Sequence, residues 1–211
     1  ARPDQRKDTR MKLYGFRGTR SNRVEWMLRE VGADYEFVKV DLQAGEQKKA
    51  DHVERHAHAL VPAFEDGDVR IIESAAAALY LADKFADKHL APPPGSAERA
   101  RYYQFAVYAV STLDESVLPL FFHKVLLPPE KRSQARVDEK TPIWETAAGF
   151  LTKQLGAGPY LLGKSFSAAD VIVGYDLAVA GRAGLLDGHP KLGEYLGRLA
   201  SREAFQKVFQ S

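Results

Sequence analysis

Three consecutive prolines, in the stretch APPPGS (91–96), constrain this 211-residue chain more than any other feature of its sequence. Proline removes a helical N–H and clashes with the preceding turn, so a helix must end before this stretch, which then forms a short stiff linker. Strand and helix patterns alternate before the prolines, whereas only helical patterns follow them. The chain is therefore predicted to contain an α/β domain over residues 11–88, a linker over 89–96 and an all-helical domain over 97–211.

The α/β domain is predicted from short apolar runs separated by turn signals. MKLYGF (11–16) ends in a turn-prone stretch and indicates a strand, and YEFVKVDL (35–42) alternates as a second strand. The dipeptide Asp66-Gly67 predicts a hairpin between two further strands. The predicted order is β-α-β-(α)-β-β-α, with strands over 11–16, 35–42, 60–64 and 69–74, helices over 24–31 and 75–88, and a helical or irregular stretch over 43–58.

The second domain is predicted to contain only helices. Pro128 and Pro129 break a long helical pattern, and Ser167 and Asp170 have the spacing of a capping box at the start of a later helix. The predicted helices cover 97–127 as one helix or two, then about 134–155, 166–181 and 191–208.

Composition excludes several classes of function. The chain contains no cysteine, which excludes disulfides, thiolate metal sites and any mechanism that uses a protein thiol. A formal net charge of +2 does not indicate binding to nucleic acid or to an anionic membrane. No apolar run approaches the length of ~20 residues that a helix needs to span a bilayer. Residues 1–10 lack the apolar core of an export signal and are interpreted as a tag remnant or disordered tail. We therefore expect a cytoplasmic protein.

The stretch LVPAFEDGDVRIIESAA (60–76) contains the candidate binding residues. Pro62 removes a strand donor, which fits either a trans proline on an edge strand or a cis Val61-Pro62 bond that turns the Val61 backbone outward to pair with a peptide. Ser74 is either a helix N-cap or part of a carboxylate site at a helix N-terminus. Glu73 beside it could bind an ammonium group. Together, Glu73 and Ser74 suit the α-amino and α-carboxyl groups of an amino acid.

Three segments resemble the cytosolic glutathione transferase family and occur in that family's order: LYGFRGTRSNRVEWMLREVGADYEFVKVDL, LVPAFEDGDVRIIESAAAALYLADKF and YLLGKSFSAADVIVGYDLAVA. They are most similar to bacterial members of the serine or threonine type. The resemblance implies a thioredoxin-like α/β domain followed by an all-α domain, usually as a homodimer, with glutathione as co-substrate and no cofactor. It also implies a cis bond at Pro62, pairing of Val61 with the cysteinyl backbone, and Glu73 and Ser74 at the γ-glutamyl end.

Two positions depart from the family pattern. At residue 19 this chain has threonine where serine-type relatives have serine. Relatives also often have a lysine immediately before the Val-Pro pair, where it reaches the glycyl carboxylate of glutathione, but this chain has Leu60 there. The resemblance therefore implies either that Lys48, Lys49 or a nearby histidine takes over this contact, or that glutathione binds weakly.

Catalysis by this family requires a group that stabilises glutathione as a thiolate, because the thiolate is the nucleophile. Lowering a thiol pKa by ~2 units requires ~2.7 kcal/mol, and one hydrogen bond to a charged acceptor supplies ~1.5–3 kcal/mol. In serine-type relatives the activating hydroxyl lies four residues before a helical arginine, which corresponds to Thr19 ahead of Arg23. Thr19 is therefore the first candidate, followed by Ser21 and then Arg20.

Other side chains near the start of the first helix are assigned different roles. Tyr14 lies within the first strand and ranks fourth as activating group. Ser21 and Asn22 are predicted to cap the helix, Asn22 forming a capping box with Glu25.

The predicted co-substrate is a small apolar electrophile. By position relative to family members, we expect Phe16, Tyr108 and Thr112 to line its pocket. Phe121, Phe122, Leu126 and Leu127 are assigned instead to the core or an interface.

No metal site is predicted. His52, His56 and His58 form an H-x3-H-x-H pattern, but no carboxylate or cysteine completes a ligand set, so they are assigned to an exposed polar stretch.

Three functions remain open from the sequence. The first is a glutathione transferase that attacks apolar electrophiles. The second is an enzyme similar to maleylacetoacetate isomerase, although GTRSNR (18–23) lacks most of that group's Ser-Ser-Cys-Ser-x-Arg pattern. The third is a non-catalytic binding module with the transferase fold.

Overall fold

The computed structural model describes residues 10–210; the predicted tail over residues 1–10 lies outside them except for Arg10. The first domain is built on a four-stranded sheet with the strand order β2-β1-β3-β4. β1 and β2 are parallel, and the other two pairs are antiparallel. The strands are β1 (Met11–Gly15), β2 (Tyr35–Lys39), β3 (Ala63–Asp66) and β4 (Val69–Ile71).

Three helices accompany this sheet: α1 (Ser21–Val31), α2 (Ala50–Arg55) and α3 (Ser74–Lys84). The apolar stripe of α1 is buried, and the helix ends at Gly32, whose φ of 69° is the left-handed conformation that favours glycine. Asp66 and Gly67 lie at the predicted hairpin between β3 and β4. α1 and α3 pack against each other. The thioredoxin-like α/β domain expected from the sequence is therefore confirmed.

The second domain contains only helices, which confirms the fold class. They are α4 (Ala97–Tyr108), α5 (Asp114–Phe121), α6 (Gln134–Leu155), α7 (Ala168–Arg182), α8 (Pro190–Ala200) and α9 (Glu203–Phe209). The capping box at α7 is present, because Asp170 Oδ2 accepts from the Ser167 backbone N–H at 2.9 Å. Two elements differ from the sequence prediction: the last helix is divided near Ser201, and π-helical turns over Ala109–Leu113 and Phe122–Leu126 interrupt the long helix.

Arg99 fixes the proline linker against both domains. Its guanidinium donates to both carboxylate oxygens of Asp83, at 2.8 and 2.9 Å, and to the carbonyl oxygen of Pro92 at 2.9 Å. The planar guanidinium suits such a two-pronged contact with a carboxylate. One side chain at the start of α4 thus holds the end of α3 and the linker together.

The two domains also pack through apolar contacts of α1. Trp26 is fully buried, and its ring meets Phe205 and Phe209 of α9 edge-on at centroid distances of 4.9 and 5.8 Å. Arg202 donates to both carboxylate oxygens of Glu30 at 2.7 Å beside this cluster. The C-terminal helix therefore closes back onto the first domain.

Among residues 10–210, one helical segment, Ala97–Leu126, is long and apolar enough to cross a membrane by length and composition alone. A segment with this length and apolar composition was not expected from the sequence. Half of its most apolar window is buried, and its helices pack against α6 and α7. Burial of this kind is expected of a core helix.

Candidate active site

The loop between β1 and α1 positions the candidate activating hydroxyl. Thr19 is half-buried, and its Oγ1 donates to the carbonyl oxygen of Phe16 at 2.5 Å and lies 3.0 Å from Ser21 Oγ. The backbone N–H of Ser21 donates to the same Oγ1 at 3.2 Å. The Thr19 hydroxyl is thus held at the N-terminus of α1, where unpaired N–H groups create a positive potential.

Ser21 has a structural position instead. It is fully buried, and its Oγ accepts from the backbone N–H of Phe16 at 3.2 Å. A Cβ at Gly15 would lie 2.6 Å from this Oγ, so the glycine allows Ser21 to pack against β1. Ser21 therefore fastens the strand to the helix and does not line the cavities described below.

The helix-capping prediction at α1 is wrong. The helix begins without a side-chain cap, and Asn22 Oδ1 accepts from the backbone N–H of Gly18 at 3.0 Å, which closes the loop. Glu25 is fully buried and accepts from Arg17, Arg29 and Tyr35 instead of from a helix terminus. Because two arginines and a phenol surround this carboxylate, it is unavailable for a capping box.

The Val61-Pro62 peptide bond is cis, as the family resemblance implies. Within residues 10–210, neither the N–H nor the C=O of Val61 forms a backbone hydrogen bond. Leu60 is 56% exposed, and its carbonyl oxygen is hydrogen-bonded to His52 Nε2 at 2.7 Å. The Val61 backbone therefore remains available to an extended ligand.

Glu73 and Ser74 lie at the N-terminus of α3. Glu73 is exposed, and Ser74 is buried with its Oγ accepting from Arg23 Nη1 at 2.9 Å. The Glu73 side chain makes no capping bond. The bond from Arg23 leaves the Ser74 hydroxyl hydrogen free to donate to a ligand carboxylate.

Arg23 connects this helix to the second domain. It is fully buried, and its Nη2 lies 2.9 Å from Asp176 and 3.4 Å from Asp114. Arg20, which is partly exposed, donates from Nε to the other Asp114 oxygen at 2.7 Å. Arg23 of α1 thus contacts the carboxyl groups of both Asp114 in α5 and Asp176 in α7, and Arg20 at the N-cap of α1 contacts Asp114.

The two buried carboxyl groups have opposite pKa shifts. Burial raises the pKa of Asp176 well above its ordinary value, although the charge of Arg23 opposes this. Burial also acts to raise the pKa of Asp114, but a hydrogen bond from Asp176 and the charges of Arg23 and Arg20 outweigh it, so that this pKa is lowered. Asp176 therefore retains a proton more readily than Asp114, which stays anionic beside the cavity.

Two adjoining cavities lie where the domains meet. The smaller, of about 230 Å³, is the more polar of the two and includes Glu73, Ser74, Asp114, Arg20, Arg23, Val61, Pro62, His56 and His58. The larger, of about 560 Å³, is mostly apolar and includes Phe16, Thr19, Leu60, Val61, Leu118, Phe121, Phe122, Leu126, Tyr175 and Val179, together with Arg17, Arg20 and Arg182. Leu60, Val61 and Arg20 line both. A ligand that pairs with Val61 would therefore extend between a polar end and an apolar end.

The structure brings most of the predicted site residues together. Glu73, Ser74, Val61, Pro62 and Leu60 line the smaller cavity, and Phe16 and Thr19 line the larger one. Tyr14 lines neither cavity, and the guanidinium carbon of Arg55 lies 4.6 Å from the centroid of the Tyr14 ring.

Comparison with known proteins shows which family has this fold and sequence. Residues 9–83 match the family model described as glutathione S-transferase, N-terminal domain. Glutathione S-transferase 1 of Triticum aestivum is 29% identical over 88% of this chain and 87% of its own length. The structure of BphK, a bacterial glutathione transferase, is 32% identical, covers 94% of this chain and 98% of its own, and superposes with a TM-score of 0.82. The chain belongs to the glutathione S-transferase family. Glutathione transferase F7 of Populus trichocarpa, 25% identical over 95% of this chain and 98% of its own, superposes with a TM-score of 0.86.

The predicted electrophile pocket of this glutathione transferase needs correction. Tyr108 and Thr112 do not line the large cavity. The ring of Tyr108 packs on that of Phe150, with the two ring centroids 4.7 Å apart. Phe121, Phe122 and Leu126, which were assigned to the core or an interface, line it instead. The helix face that meets the cavity begins further along the chain than position relative to the family suggests.

The two cavities also include residues that were not predicted from the sequence, namely Asp114, Leu118, Val179 and Arg182. Tyr175, Val179 and Arg182 are spaced i, i+4 and i+7 along α7 and share one face, a signal that could have been read. Asp114 carried no such signal, because only the fold brings it to Arg20.

The histidines are not an exposed stretch, contrary to our expectation. His52 and His56 are buried, and only His58 is exposed. Burial lowers the pKa of His56, with further lowering from His52 and His58. No group of three or more potential ligands in the part of the chain that the structure describes could hold a metal ion.

The residues offered for the glycyl carboxylate lie on a 3₁₀ turn over Glu46–Lys48. Lys49 follows the turn, and its Nζ is paired with Glu46 at 2.8 Å. Gln47 lines the large cavity, and its Oε1 is buried without a partner among the described residues. Of the side chains on this turn, that of Gln47 shares the large cavity with Leu60.

Proposed function

We propose that this enzyme binds glutathione across the two cavities and stabilises its thiol as a thiolate at Thr19, for attack on an apolar electrophile. The observation that supports this proposal best is the difference between the candidate activating groups. Thr19 lines the large cavity, whereas Ser21 is buried and Arg20 is paired with Asp114. Thr19 therefore remains the first candidate, in the manner of serine or threonine members of the family.

The thiolate would be stabilised by one hydrogen bond and by the helix terminus. Thr19 Oγ1 accepts a hydrogen bond from the Ser21 backbone N–H and donates its own hydrogen to the Phe16 carbonyl oxygen. If the hydroxyl hydrogen rotated away from this carbonyl, it would donate to the sulfur of glutathione instead. A bond to a charged acceptor contributes ~1.5–3 kcal/mol and the helix N-terminus ~0.3–1 kcal/mol. Their sum meets the ~2.7 kcal/mol that corresponds to a two-unit shift of the thiol pKa.

The remaining groups of glutathione have matching partners. The γ-glutamyl carboxylate would accept from the Ser74 hydroxyl and from free N–H groups of α3, and Glu73 and anionic Asp114 would attract its ammonium group. The cysteinyl backbone would pair with Val61. We assign the glycyl carboxylate to Lys48 and Gln47 on the 3₁₀ turn, which offsets the loss of a lysine at Leu60.

The reaction would balance as a nucleophilic substitution or addition. The thiol proton passes to water and the thiolate forms a carbon–sulfur bond. In a substitution the leaving group departs with its electron pair, and in an addition the electron pair of the broken π bond takes up a proton from water. Phe121, Phe122 and Leu126 would hold the apolar part of the electrophile. Retention on immobilised glutathione together with conjugation of a model aryl halide would support this function. Retention without turnover of any electrophile would instead favour a binding module.

We also propose that the enzyme is a homodimer that works in the cytoplasm, the compartment in which glutathione keeps thiols reduced. α4 exposes three apolar side chains at i, i+4 and i+7, Tyr103, Val107 and, beyond the helix end, Val110. A stripe of this kind is suited to a partner surface.

A further inference from the structure

We propose that the electrophile carries an anionic group, such as a carboxylate, and that Arg182 binds it. This inference rests on the function proposed above and specifies its substrate class. Three arginines line the large cavity, Arg17, Arg20 and Arg182, and no acidic residue is among the described residues that line it. The cavity is therefore electropositive as well as apolar.

The charges of two of these arginines are balanced by carboxylates. Arg17 lies 3.3 Å from the buried Glu25, and Arg20 lies 2.7 Å from Asp114. The side chain of Arg182 makes no ion pair or hydrogen bond within residues 10–210, and its guanidinium lies over the ring of Phe121, 4.8 Å from the ring centroid. Arg182 is thus the cation of the cavity whose charge is not balanced by a carboxylate.

The position of Arg182 suits a charge held for a ligand. It is the last residue of α7, where the helix dipole favours a cation. Contact with Phe121 orients the guanidinium over an aromatic wall and leaves its N–H groups available. Val179, one turn earlier on the same helix, belongs to the apolar lining. A ligand with an apolar body and a terminal anion would satisfy both surfaces.

Glutathione does not account for this cation as well as an electrophile does. The proposed glutathione contacts lie at Val61, Ser74 and the 3₁₀ turn, whereas Arg182 belongs to the second domain with the apolar wall. In the substitution that follows, the anionic group is unchanged, because the thiolate bonds to a ring carbon and the halide leaves with its electron pair. Arg182 therefore acts in binding and selection of the electrophile.

A matched pair of electrophiles tests this role. We compare kcat/KM for para-chloro-meta-nitrobenzoate and for its methyl ester in the wild type, in Arg182→Met and in the control Lys153→Met, which removes an exposed cation outside the cavity. Arg182→Met should lower kcat/KM for the acid by about 10-fold or more, with less than about 2-fold change for the ester. The KM for glutathione should not change, and Arg182→Lys should recover part of the activity on the acid.

If Arg182→Met lowered kcat/KM equally for the acid and the ester, or for neither, the role of Arg182 would be overturned. If the wild type conjugates neither compound, the proposed function fails, and the inference is decided by binding alone. Calorimetry of the two glutathione conjugates, acid and ester, then supports it only if Arg182→Met weakens binding of the acid conjugate selectively.

Discussion

At the scale of single residues, two hydroxyls near the start of α1 differ in what they can contact. Ser21 is enclosed by β1, where Gly15 makes room for it, whereas Thr19 lines the large cavity. Their separation in the sequence is two residues, and spacing alone allowed either to activate glutathione. Burial separates them, because a fully enclosed hydroxyl cannot reach a ligand.

Replacement of Ser74 with alanine tests the γ-glutamyl subsite. The variant loses the hydroxyl that would donate to the ligand carboxylate, so glutathione affinity should fall by roughly 1–3 kcal/mol, measured by calorimetry. It also leaves Arg23 Nη1 without its partner at 2.9 Å, so thermal stability should fall in the same variant. Unchanged affinity together with lowered stability would show that Ser74 is only a structural residue.

His56 should make stability depend on pH. Its pKa is lowered from 6.5 by burial, so above pH 6.5 it is neutral in both the folded and unfolded states. As pH falls below that value, the unfolded state takes up a proton that the folded state resists, and stability is lost down to the folded pKa. Between about pH 7.5 and about pH 5.5, the melting temperature of His56→Gln should therefore fall less than that of the wild type. An equal loss in both proteins would contradict this account.

At the scale of elements, local signals predicted the fold class and the places of most strands and helices. Thr19 precedes α1 and Ser74 begins α3, so both lie close to helix starts, and their roles at the proposed ligand site stay predictions. Tyr108 and Thr112 were expected at the electrophile pocket from their position relative to family members, and neither lines the large cavity. Two π-helical turns, over Ala109–Leu113 and Phe122–Leu126, interrupt the long segment that carries Phe121, Phe122 and Leu126. A regular spacing of 3.6 residues cannot predict which side of the segment faces the cavity after such turns.

The packing of α9 on α1 gives a testable prediction at this scale. Phe205 is almost fully buried between Trp26 and Phe209. Phe205→Ala should lower the free energy of unfolding by about 3–5 kcal/mol, the usual cost of a buried phenylalanine. Urea unfolding followed by tryptophan fluorescence measures this, with the half-buried Phe209→Ala as a milder control. A loss below about 1 kcal/mol would mean that α9 contributes little to the core.

At the scale of the whole molecule, the ligand site depends on the junction of the two domains. Arg23 and Arg20 come from the first domain, and Asp114 and Asp176 from the second. Such long-range pairs leave no local pattern, which is why Asp114 could not be predicted from sequence. The overall fold was predictable because the proline linker and the family resemblance separate the α/β part from the helical part.

The proposed homodimer is tested through the exposed stripe of α4. Sedimentation at micromolar protein should show a species of two 23.5 kDa chains, and Val107→Glu should shift it towards single chains, because a buried unpaired carboxylate opposes association. Ile143→Glu, at an exposed position of α6, serves as the control and should remain dimeric. A wild type of single chains would refute the dimer.

The central claim, activation of glutathione by Thr19, is tested most directly by the ultraviolet absorbance of the thiolate of bound glutathione as pH is raised. In Thr19→Val the apparent thiol pKa should rise by ~1–2 units for the loss of ~1.5–3 kcal/mol of hydrogen bonding, while glutathione binding changes little. Thr19→Ser should retain the wild-type pKa, and Ser21→Ala should lower stability and spare the thiolate. A wild-type thiol pKa in Thr19→Val, with the thiolate signal lost in Ser21→Ala, would contradict the account and assign activation to Ser21.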